Sequence, residues 1–167
     1  LDLSETRATC VEEVAKQKVR YAFNEINKGR SIKVSCIALD SGLYIRSLKG
    51  WPGTFVNLTL DALGIEGILK LLDGNSRECE IKPCLAYWDG VLNDPICFPA
   101  KIQGTLAEEP RGDFKNYHWS ELSKIFIPKG YDKTEGELSE EDYDFWRKEA
   151  DISVSSFGKW LRDTSSC

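Results

Sequence analysis

The chain has 167 residues, of which 41% are apolar and 29% charged, and carries a net charge of −5. That length suits one domain with a sizeable core, and no apolar run is long enough to span a bilayer. The acidic balance argues against a general nucleic-acid binder, which carries a basic face. The expected partners therefore include neither nucleic acid nor a membrane, and no signal-peptide pattern opens the sequence. Six cysteines and one histidine are present. With no Cys-x-x-Cys pair, a zinc site is not expected. The cysteines read mostly as small buried hydrophobes of a reducing cytosol. Methionine is absent even at position 1, so the expectation is a chain that was processed, is a fragment, or has lost its beginning.

In chain order, residues 10 to 28 predict a helix: Val11, Val14, Ala15, Val19, Ala22 and Ile26 recur at helical spacing and Gly29 stops it. Glu12 and Glu13 fall in its first turn, where the helix dipole favours acids. Lys18 falls on the apolar stripe, where its ammonium either snorkels out or points at something negative. Ile32 to Leu39 predicts a strand ending at Asp40. Ser41 and Gly42 then read as a tight turn before a second apolar stretch, Leu43 to Leu48, closed by Gly50, Pro52 and Gly53.

A second helix is expected from about Leu60 to Leu72, capped by Gly74. Strands follow over residues 78 to 106, with an Asp89-Gly90 turn signal between apolar runs. Residues 107 to 123 are polar and irregular, with Phe114, Tyr117 and Trp119 among them. His118 reads as a surface loop residue. "KIFIP" predicts a short strand, and Ser139 with Asp142 resembles a capping box that starts a last helix, which breaks before Phe157. No repeat or linker appears, so residues 1–167 read as a single α/β domain.

In open α/β sheets ligands collect beyond the carboxyl ends of strands. An acid there can hold a divalent cation, and small residues after it leave N–H groups to face phosphate oxygens. Asp40-Ser41-Gly42 fits that role. The longer strings are more specific. "LDSGLYIRSLKGWPG", then "LGIEGILKLLDG", "FPAKIQGTLAEEPRG" and "IFIPKGYDKTEGELSEED" resemble, in order and spacing, the inosine triphosphate pyrophosphatase family, over roughly residues 5 to 142.

The resemblance implies a mixed twisted sheet in two lobes flanked by helices, with a central cleft, and a cytoplasmic homodimer. It implies hydrolysis of non-standard purine nucleoside triphosphates, of inosine or xanthosine type, to the monophosphate and pyrophosphate with Mg2+. Asp40 matches the catalytic acid beside the metal, Glu13 an early-helix glutamate that helps hold the metal, and Ser41 a residue near the substrate. Lys18, Arg111, Tyr117, Trp119, Arg147 and Lys148 are the further substrate-binding candidates.

The pattern also departs from the family. The opening phosphate-gripping loop is not in the sequence, so the domain is expected to be N-terminally incomplete. Leu39 stands where a second acid is usual. "DFKNYHWSELSK" follows Arg111-Gly112 in place of a glycine-rich base-binding loop. In the last helix Tyr143 takes a lysine's place and Arg147, Lys148 and Glu149 fall near a His-Arg pair. The alternative function is therefore a non-catalytic nucleotide-binding or interaction module on the same scaffold.

Overall fold

The structure is a computed structural model that describes residues 10–165. Helix α1 spans Val11–Ile26, strand β1 Cys36–Ile45, β2 Pro52–Gly53, helix α2 Val56–Leu71 and strand β3 Glu78–Trp88. Strands β4 (Ile96–Pro99), β5 (Ile102–Leu106) and β6 (Phe126–Pro128) follow, then helices α3 (Glu140–Ala150) and α4 (Ser153–Ser165). The sheet runs β2-β1-β3-β5-β6, with β4 also on β3. The β1–β2, β3–β4, β3–β5 and β5–β6 pairs are antiparallel. The α/β class is as expected.

The chain forms two compact units. Among the described residues, the first takes 10–41, 83–100 and 151–165, and the second 42–82 and 101–150. In the first, Val11, Ala15, Val19 and Phe23 recur every fourth residue along α1. They bury against Cys36, Cys84 and Ala86, and the Phe23 ring lies 4.9 Å from Trp88. Helix α4 lays Phe157 and Trp160 on Tyr87 and Phe98. In the second, Leu43 and Ile45 of β1 and Cys79 and Ile81 of β3 sit at alternate positions, so both pairs turn one face to the core. Ile65, Ile68, Leu69 and Leu72 from α2 cover them with Phe126, Tyr143 and Trp146.

Three boundaries differ from expectation. Strand β1 starts at Cys36 rather than Ile32, because the Asn27 side-chain amide ties both backbone groups of Val34 (2.8 and 3.0 Å) and takes that segment out of the sheet. The strand then runs through Asp40, Ser41 and Gly42 without a turn. Gly42 is required by crowding: a Cβ there would come within 2.8 Å of the Gly53 carbonyl oxygen on β2. Helix α2 begins at Val56, and its period is legible only past a kink at Gly64.

The last helix is broken, at residues 151–152. Ser139 caps α3 through the Asp142 N–H (3.1 Å), as its sequence suggests. Five cysteines, Cys10, Cys36, Cys79, Cys84 and Cys97, are free thiols, while Cys167 lies outside the described residues. Among the described residues no helix is long and apolar enough to cross a membrane.

Candidate active site

In the first unit β1 holds Asp40 and Ser41 in extended backbone, so their side chains leave opposite faces of the strand. Asp40 is therefore a mid-strand acid, which corrects its expected place at a strand end. Its side chain keeps only 10% of its exposure. Lys18, one turn beyond Val14 on the apolar side of α1, donates its ammonium to Asp40 Oδ1. Of the two readings left open for this lysine, the structure selects the one in which it points at a negative group.

Burial pushes the Asp40 carboxyl above its ordinary range. The Lys18 hydrogen bond and charge pull against that without cancelling it. The result is an aspartate of raised basicity, held in one orientation by a cation: the property a proton acceptor needs near neutral pH.

Glu13, in the first turn of α1, has a half-exposed side chain and an ion pair with Lys16 at 3.7 Å. Its neighbour Glu12 accepts from the Cys10 thiol at 2.5 Å. Among the described residues no three or more His, Cys, Asp or Glu side chains converge as a metal cage. A hard divalent cation such as magnesium does not need one, since it keeps waters and substrate oxygens around one or two carboxylates. The oxygen donors of Asp40 and Glu13 fit that chemistry in kind.

The second unit holds the other candidates. Arg111 is engaged by the segment 132–137: Nη2 donates to the Asp132 carbonyl at 3.2 Å, Nε lies 3.5 Å from Glu137 Oε2, and its carbonyl accepts from the Thr134 hydroxyl. Tyr117 is packed, with its ring 4.6 Å from His118 and 5.3 Å from Tyr143. Trp119 is exposed. On α3, Arg147 is half-buried, its charge felt by Glu135 and Tyr143, and Lys148 is exposed.

Two residues there escaped the sequence reading. His118 is buried, not a surface residue. Its Nδ1 accepts from the Lys115 N–H at 3.1 Å, which leaves the proton on Nε2, and Nε2 has no partner. Burial and the Lys115 charge hold its pKa down. Glu135 is also buried, with Oε1 unpartnered, and burial pushes its carboxyl up to about 7 against the opposing pull of Arg147. Burial and the Glu135 charge push the Tyr143 hydroxyl up to about 12. A glutamate between a threonine and a glycine in a polar loop reads as solvated, so no sequence signal marked it.

A cavity of about 880 Å³ in the second unit, walled by Tyr44, Arg46, Lys82, Gln103, Lys129 and Tyr131 among others, contains none of the predicted site residues. Two of its cations are paired within it, Arg46 with Glu78 at 2.7 Å and Lys82 with Glu80 at 3.6 Å, and Lys49 and Lys129 also line it.

The sequence model of the Ham1 family matches residues 1–146. The chain is 31% identical over 160 residues to a dITP/XTP pyrophosphatase of Thermococcus kodakarensis, covering 95% of this chain and 79% of that protein. It is 37% identical over 142 residues to an inosine triphosphate pyrophosphatase of Yarrowia lipolytica, covering 84% and 69%. Its fold is similar to that of the Staphylococcus aureus Ham1 protein, with a TM-score of 0.78 at 22% identity, covering 98% of this chain and 82% of that one. A HAM1 protein from Coxiella burnetii gives a TM-score of 0.77 at 21% identity, covering 100% and 82%.

Proposed function

This chain belongs to the Ham1 family, and from that premise we propose that it hydrolyses non-standard purine nucleoside triphosphates of inosine or xanthosine type to the monophosphate and pyrophosphate. The observation that carries the reading is the Lys18–Asp40 pair, set inside a stretch matched along 160 residues to a pyrophosphatase.

Asp40 orients the attacking water and takes its proton as the new P–O bond forms. Lys18 holds the Asp40 carboxylate in the orientation that requires and adds positive charge beside the phosphates. Asp40 and Glu13 would hold Mg2+, which when bound offsets charge on the phosphate oxygens. Ser41 lies next to the catalytic acid and contributes a hydroxyl to the substrate. Trp119 and Lys148, with exposed side chains, are the candidates to meet base and phosphate directly. Arg111, Tyr117 and Arg147, already engaged within their unit, shape that region. Residues 1–167 act as one catalytic domain, in a cytoplasmic homodimer.

The test is pyrophosphate release from inosine, xanthosine and common purine triphosphates, with and without magnesium. Preferential release from inosine or xanthosine triphosphate, dependent on magnesium, supports the reading. A folded sample that binds these nucleotides yet releases no pyrophosphate would favour the non-catalytic module instead.

A further inference from the structure

Strands β3 and β4 pair with Ala86 opposite Cys97 and Cys84 opposite Pro99. Residues two apart on a strand share a face, so Cys84 and Cys97 stand diagonally on one side of the hairpin. Both pack into the core beneath α1, where the Cys84 thiol donates to the Leu85 carbonyl (3.8 Å) and the Cys97 thiol to the Glu12 carbonyl (3.7 Å). Their surroundings differ. Cys84 is fully buried. Cys97 is half-buried, 3.7 Å from the Glu12 carbonyl oxygen and within the field of the Lys16 ammonium. Cys36, in the same core, faces the Val34 carbonyl at 3.9 Å and is held protonated by burial.

We propose that Cys84 and Cys97 form a peroxide-sensitive dithiol, oxidised reversibly to a disulfide that staples β4 to β3. The asymmetry assigns the roles. The neighbouring Cys84 and the Lys16 ammonium hold the Cys97 thiol below its ordinary range, against burial and the Glu12 and Asp94 charges, and the thiolate is the nucleophile. Cys84, whose thiol is pushed up by the neighbouring Cys97 and by burial, is the resolving thiol.

In the first step the Cys97 thiolate attacks a peroxide oxygen. An S–O bond forms, the O–O bond breaks, and hydroxide leaves to become water, which yields a sulfenic acid. In the second step Cys84 sulfur attacks Cys97 sulfur. The S–S bond forms, the S–O bond breaks, and the Cys84 proton leaves with the hydroxyl as a second water. Two thiols and one hydrogen peroxide thus give one disulfide and two waters.

Diagonal neighbours in an antiparallel pair stand about 7–8 Å apart at Cα, at or beyond the span a disulfide prefers. Closure therefore draws β4 along β3. A disulfide formed against such resistance is readily reduced again, the behaviour of a regulatory rather than a structural bridge. Strand β4 also carries the contacts to α1 and α4 in this unit, so its movement reaches the helix that bears Lys18.

The full chain, reduced and freed of reductant, is titrated with hydrogen peroxide, denatured in an alkylating reagent, digested without reduction and mapped by mass spectrometry. The expected result is loss of two alkylatable thiols per chain, appearance of a Cys84–Cys97 linked peptide, and recovery of both thiols with dithiothreitol. Cys97→Ser abolishes the loss. Cys84→Ala leaves a sulfenic acid at Cys97 that dimedone traps. Oxidation confined to exposed Cys10, or a link from Cys97 to Cys36, overturns the proposal. The unmodified chain's map decides this without either variant.

Discussion

The Lys18 ammonium is hydrogen-bonded to Asp40 Oδ1 across the boundary between α1 and β1, with a quarter of the lysine side chain and a tenth of the aspartate side chain exposed. The pair is not balanced. Burial outweighs the lysine at Asp40, so the carboxyl stays above its ordinary range even with a cation attached. The lysine sets how far.

Replacing Lys18 by methionine keeps the apolar stem and removes the charge. Only the upward push of burial then acts on Asp40, so the acid limb of the pH profile of kcat/KM moves to higher pH. Lys18→Arg restores the original limb. An unmoved acid limb in Lys18→Met, with activity retained, rules out Asp40 as the group behind it.

Asp40→Asn removes the proposed proton acceptor while keeping the shape. General-base catalysis is worth about 10²–10⁴ in rate, so kcat should fall by that factor. The urea midpoint should change little, because the partly exposed Lys18 recovers solvent when its partner goes. Retained pyrophosphate release sinks the assignment.

Glu135 gives a stability prediction with a definite sign. Its folded pKa is raised from 4.5 to about 7 by burial, so the folded state favours the protonated carboxyl. The stabilisation is complete below pH 4.5 and is lost as pH rises through about 7. The loss amounts to roughly 3 kcal/mol at most, less whatever Arg147, the facing cation, recovers. Glu135→Gln should remove this slope, matching the parent near pH 4.5 and exceeding it at pH 8 in urea denaturation. Parallel pH slopes in the two proteins count against the buried acid.

Tyr117 and Trp119 sit two residues apart but should behave differently. Tyr117, partly buried, packs against His118 and Tyr143, so Tyr117→Ala should cost about 1–3 kcal/mol of stability. Trp119 is exposed, so Trp119→Ala should leave stability within about 0.5 kcal/mol and raise KM for the purine triphosphate. If KM is unchanged in Trp119→Ala, the base is read elsewhere.

Gly112 has φ +71, and a Cβ there would lie 2.2 Å from the Gly136 carbonyl carbon. Both the left-handed backbone and the clash oppose a side chain. Gly112→Ala should destabilise by at least about 2 kcal/mol, read as a lowered urea midpoint, and so detach the Arg111 turn from Thr134.

The periodic elements were legible because their signals are local. The α1 stripe from Val11 to Val19, the Ser139 cap and the Asp89-Gly90 turn depend on neighbours in sequence, whereas at the end of α1 Phe23 is buried and the expected Ile26 is exposed. Asp40 and Lys18 were both marked, one by its motif and one by its odd position, though only the fold could join residues 22 apart. What failed was long-range. Ser41-Gly42 has turn chemistry, yet Gly42 is small to admit the Gly53 carbonyl. Val34 has strand propensity, yet an asparagine seven residues back takes its backbone. His118 and Glu135 are polar residues in a polar loop, and nothing in their neighbours announces burial.

The division of the chain also orders its synthesis. Every residue of the second unit lies between 42 and 150, while the first unit includes residues 151–165. A chain emerging from the ribosome can close the second unit while α1, already made, waits for Phe157 and Trp160 to seal β4. Lys18 and Asp40 are translated before the whole of the second unit and yet belong to the first, so a chain stalled before residue 151 holds the Lys18–Asp40 pair in an unfinished unit.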